Sequence, residues 1–111
     1  MSSYTGWWTG LFTPAERAAA FALLEGYGAA PHEREVIRVR VAVLKLSDGQ
    51  LPELERLIGR ARQDYRDVLA WAEYPAELVR PTWSLPEADV AQIRAADRAQ
   101  YLAWLAAHTG P

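Results

Sequence analysis

The chain has 111 residues and a mass of 12.4 kDa; half of its positions are hydrophobic, and 12 Lys+Arg stand against 14 Asp+Glu for a formal charge of −2. That length supports one hydrophobic core and excludes two, the apolar half excludes intrinsic disorder, and no run approaches the ~18–20 unbroken apolar residues that span a bilayer. With no cysteine, disulfides, thiolate metal sites and a cysteine nucleophile are excluded as well.

The near-neutral charge and pI of 5.6 give no global attraction to nucleic acid or anionic lipid. The stretch from Met1 to Phe12 has no basic residue and is interrupted by Gly6 and Gly10, so it does not read as a secretory signal, and a cytoplasmic location is expected. Carrying Tyr4, Trp7 and Trp8, residues 1–12 read as an N-terminal aromatic arm in front of a single helical domain, 13–111.

The first start signal is Thr13-Pro14-Ala15-Glu16, a capping box with proline in the first turn. It predicts a helix over about 14–27, ending at Gly26 or Gly28. The next segment, 31–47, has two readings. Alternation from Arg38 to Val43 has the period of a strand, whereas Val36, Val39, Val43 and Leu46 lie along one side of a helix. A lone strand leaves its backbone unpaired, and no other segment reads as a strand, so a helix ending at Ser47-Asp48-Gly49 is expected.

Leu51, Leu54, Ile58, Ala61, Tyr65, Val68 and Ala72 then alternate at spacings of three and four, a seam that predicts one amphipathic helix over 51–74. Gly59 is its weak point, and Asp64 is placed to cap a restarted helix if the chain breaks near residue 62. The two prolines of Pro75 to Trp83 read as an extended crossing segment. Ser84-Leu85-Pro86-Glu87 repeats the capping logic, and a last helix follows over 85–107. Its stripe of Ala88, Ala91, Ala95, Ala99, Leu102 and Ala106 suits close helix packing.

Few residues point to chemistry. His32 and His108 are far apart, with no second ligand at metal spacing, and Ser47, Thr13 and Ser84 sit at helix boundaries where capping accounts for them. No glycine-rich phosphate loop is present, so no catalytic, cofactor or metal residues are assigned. Asp64 and Asp67, three apart on a helix, are the one carboxylate pair that offers an enzymatic alternative, given a third acid such as Glu25, Glu73 or Glu77. Two helices joined by Ser47-Asp48-Gly49-Gln50 offer another, a helix-turn-helix-like nucleic-acid binder using Arg34, Arg38, Arg56 and Arg60, although interleaved acids compensate those arginines. Trp7, Trp8, Trp83 and Tyr4 lie outside the predicted helices and are of the types that dominate interface hot spots.

The run Val41-Ala42-Val43-Leu44-Lys45-Leu46-Ser47-Asp48-Gly49, followed by Asp64-Tyr65-Arg66-Asp67-Val68-Leu69-Ala70-Trp71-Ala72-Glu73-Tyr74, resembles a recurring pattern in short, uncharacterised bacterial helical proteins. The resemblance covers the middle third of the chain; it implies a bacterial source and a helical core and brings no activity with it. The expectation is an all-α, compact bundle of about four helices. Its expected role is a non-enzymatic interaction or regulatory module that pairs with itself as a homodimer or with another protein.

Overall fold

In the computed structural model, which describes residues 7–79 and 82–109 apart from the side chains of residues 7, 82 and 109, every regular element is helical. The elements are a 3-10 turn at Trp7–Leu11, α1 (Arg17–Gly26), α2 (Val36–Ser47), α3 (Leu51–Gln63), α4 (Tyr65–Glu73), α5 (Pro75–Val79), a 3-10 turn at Thr82–Ser84, and α6 (Glu87–Thr109). The all-α class holds. Six α-helices among the described residues replace the expected four, because 51–74 is divided and the Pro75 segment is partly helical.

The ambiguous segment is a helix, and it is the centre of the fold: α2 packs against both α3 and α4. Val39, Ala42, Val43 and Leu44 are buried on it. It starts at Val36 rather than near Pro31 because Glu35 takes a left-handed conformation, φ 53°. The loop before it is tied down by Glu33, whose Oε1 accepts from the amides of Gly28 (2.8 Å) and Ala30 (3.1 Å). The Tyr27 hydroxyl donates to the Arg34 carbonyl at 2.8 Å, and Arg40 donates to the Tyr27 carbonyl at 2.6 Å. At the other end of α2, Asp48 and Gly49 both have positive φ. A side chain at Gly49 would collide with the Leu11 carbonyl, so this turn needs glycine for conformation and for space.

The seam residues Leu54, Ile58, Ala61, Val68 and Ala72 are all buried, as the spacing predicts. The helix that carries them breaks at Asp64, in extended conformation, rather than at Gly59. Asp64 is the N-cap of α4, accepting from the Arg66 amide at 3.0 Å. The break lets α3 and α4 each lay its own apolar side against α2, which one straight helix cannot do.

The segment expected to be extended holds α5. Proline suits its first position, and the carboxylate of Asp97, reaching over from α6, accepts from the amides of Ala76 (2.8 Å) and Glu77 (3.0 Å). A buried aspartate 20 residues away thus caps a helix that has no local capping residue. The same contact fixes the rotation of α6. Ile93 and Asp97 are buried, and Tyr101 and Trp104 are half-buried against the core.

The aromatic arm is corrected in part. Tyr4 lies outside the described residues, as does the Trp7 side chain. Trp8, expected at an interface, is 1% exposed; it packs edge-on to Phe12 (6.0 Å) and stacks on Phe21 (6.4 Å). The alanines of α1 leave volume that a large ring fills.

Candidate interaction surface

A helix that faces water on one side carries its charges there. In α6 the inward set of Ile93, Asp97, Tyr101 and Trp104 fixes the opposite side, at 100° per residue, as Ala88, Ala95, Ala99, Leu102 and Ala106, with Ala91 beside them. All six are exposed and none is charged. The alanine stripe that the sequence suggests for close packing therefore faces outward, a correction with a clear cause: the Asp97 bonds to α5 and the larger side chains decide which side of α6 meets the core.

Next to this face, at the α5–α6 connection, Leu78 is 51%, Val79 81% and Trp83 89% exposed. Of the two sequence-predicted interface residues whose side chains are described, Trp8 is buried and Trp83 lies at the surface. Large apolar side chains singly exposed are ordinary, but three within six positions, at the entry to a helix whose outward stripe is uncharged, concentrate apolar surface there.

A cleft of about 470 Å³ lies where the end of α4 meets α6 and shares Ala95 and Leu102 with the outward stripe. Its walls are Tyr74, Ala95, Tyr101 and Leu102, and its polar groups are Glu73, Arg94 and Arg98. Glu73 is neutralised by Arg38, which donates from Nε at 2.8 Å, and this bond holds the Arg38 guanidinium above its ordinary pKa. Arg94 is paired with Glu77 at 2.9 Å. Arg98 has no acidic partner among the described residues. Burial pushes the Tyr101 hydroxyl up to about 12, so at neutral pH it remains a donor. The cleft therefore offers one cation without an acidic partner among the described residues, two phenols and apolar walls.

The other candidate residues are dispersed. Of the arginines assigned to the nucleic-acid alternative, Arg38 is bonded to Glu73, Arg56 to Glu53 at 2.8 Å, and Arg60 to Asp67. Arg34 is exposed in the α1–α2 loop. Asp64 caps α4 and also pairs with Arg66, whose hydrogen bonds hold its carboxyl below the usual range. Asp67 faces Arg60, so the two aspartates have separate arginine partners. No cluster of three metal-ligating residues exists among the described residues. His108 contacts the Trp104 carbonyl through Nδ1 at 2.8 Å, and His32 is exposed. No described helix is long and apolar enough to cross a membrane.

Sequence reasoning missed the two buried acids, Asp97 and Glu33. Their partners are backbone amides and one arginine at positions no motif specifies. No protein-family model matches the chain, and no curated protein or solved structure compared with it matches either.

Proposed function

We propose that the chain is a small cytoplasmic, non-enzymatic interaction module that docks a protein through the α5–α6 connection and the outward face of α6. The observation that carries this reading is the 89% exposure of Trp83, with Val79 and Leu78 also exposed at the entry to a helix whose outward stripe is uncharged. Burying an exposed Val or Leu contributes roughly 1.5–3 kcal/mol, and tryptophan is among the residues that most often dominate binding. The nucleic-acid alternative has less support, since Arg38, Arg56 and Arg60 are each neutralised by an acid. The carboxylate alternative lacks a third acid beside Asp64 and Asp67 among the described residues.

Site-specific photo-crosslinking tests the reading. A benzophenone amino acid in place of Trp83 is expected to give a discrete protein adduct in cells of the source organism. The same group at Gly59, exposed on α3 with open space around it, is expected to give none. Equal yields at both positions, or no adduct at 83, would contradict it.

A further inference from the structure

Resting on the docking reading above, we infer that the partner is a second copy of this chain, paired antiparallel along α6. Trp83 of each copy enters the cleft between α4 and α6 of the other, and Glu87 of each meets Arg98 of the other.

The register follows from α6 itself. Ala88, Ala91, Ala95 and Arg98 are exposed along one seam at spacings of three, four and three, which reads the same in either direction. Reversing a second helix against the first sets Ala91 opposite Ala95, with only methyl groups between, so the axes can approach to the short end of the 8–10 Å range usual for helices. The same register brings Glu87, exposed at the start of α6, within one residue of Arg98, the cleft cation that has no acidic partner in its own chain among the described residues. It sets the start of α6 opposite Ala99, so the turn at Thr82–Ser84 that holds Trp83 leads in beside the next helical turn, where Leu102 is 50% exposed and forms a wall of the cleft. One register therefore satisfies the free cation and covers Trp83 and Leu102, twice over by symmetry, as a self-complementary two-fold interface requires.

Size fits as well. The cleft's volume of about 470 Å³ lies in the range that accepts one bulky group. Each tryptophan buries ~150–250 Å², and the helical part of the seam, from Glu87 to Ala99, adds ~18 Å of paired helix on both copies. Together these reach the order of the ~1,000 Å² that separates a specific interface from an incidental contact. The chain's remaining exposed acid near the seam, Asp89, falls on the far flank of α6 from Arg98 and is not brought against its counterpart.

Sedimentation equilibrium of the full chain with charge-exchange variants tests this. The unmodified protein is expected to sediment at twice the 12.4 kDa chain mass. Glu87→Arg and Arg98→Glu are each expected to weaken the dimer about tenfold or more, and the double variant to restore it, while Trp83→Ala abolishes it. Both charged residues are exposed, so helix content by circular dichroism is expected to be unchanged and folding does not confound the result. A monomer at all concentrations, or a dimer indifferent to all of these changes, would overturn the self-pairing. The docking reading fails separately: an adduct at position 83 with a different protein keeps it and removes only the second copy, whereas no adduct removes both.

Discussion

Two acids, Asp97 and Glu33, are withdrawn from water and aimed at backbone amides, and each holds together segments distant in sequence. Asp97 accepts from two amides at the start of α5 while 1% exposed, close enough to Lys45 that its charge opposes the lowering of the Lys45 pKa by burial. Hydrogen bonds to a charged group contribute about 1.5–3 kcal/mol each, and an abandoned buried donor adds its own desolvation cost. Asp97→Ala is therefore expected to lower unfolding free energy by about 3 kcal/mol in urea titration and to speed hydrogen exchange at the Ala76 and Glu77 amides. Unchanged exchange there would show that α5 does not depend on this cap.

For Glu33, burial raises the carboxyl pKa, but the amides of Ala30 and Gly28 and the charge of Arg62 outweigh it, leaving the pKa below its ordinary 4.5. A depressed folded pKa means stability that is fully present above the ordinary value and lost as pH falls through the folded one. Glu33→Gln is expected to melt lower than the unmodified protein at neutral pH, with the gap closing as the solution is acidified below about 4.5. A gap constant from neutral to strongly acid pH would contradict the assignment. Neither acid announces its burial in the sequence, because a carboxylate that caps a remote helix looks the same there as one in water.

At the scale of elements, most of the helical plan is legible. The seam from Leu51 to Ala72 becomes the buried side of α3 and α4, since three-four spacing leaves little choice of side. The helix over 31–47 follows from the need to pair its backbone, and only its start, set by the left-handed Glu35, is hidden. The identity of Asp64 allows the break there without requiring it; packing of both halves against α2 supplies the requirement. Asp64→Ala is expected to lower the melting temperature slightly through the lost cap, since the capped end is at the surface. Gly59→Ala is expected to stabilise by about 0.5–1 kcal/mol, since the residue is helical, exposed and free of neighbours. If instead Gly59→Ala destabilised, that position and not Asp64 would be the place where the helix needs to bend. The rotation of α6 was not legible. A stripe of alanines is equally apt for facing the core or a partner, and the deciding contact is a hydrogen bond to α5, not a property of α6.

The whole molecule is elongated, 48 × 34 × 25 Å, with a radius of gyration of 15.0 Å against about 13 Å for a compact chain of this length. Burial divides the molecule unevenly: buried side chains gather on α2, α3 and α4, whereas α6 buries little beyond Ile93 and Asp97 over 23 residues. A helix about 34 Å long that exposes a stripe of alanines flanked by Glu87 and Arg98 fits a partner-binding element better than a solvated one. The candidate site was half legible, Trp83 from its position outside the helices, the α6 face only from the fold. The measurement that tests this account most directly exploits the absence of cysteine. In an Ala91→Cys/Ala95→Cys variant the two new thiols face each other across the antiparallel seam, within the ~7 Å between Cα atoms that a disulfide spans. Mild oxidation at micromolar protein is expected to give a covalent dimer in high yield, lost when Arg98→Glu is added. A variant that stays monomeric on oxidation, or that links equally well with Arg98→Glu present, would contradict the antiparallel α6 pairing.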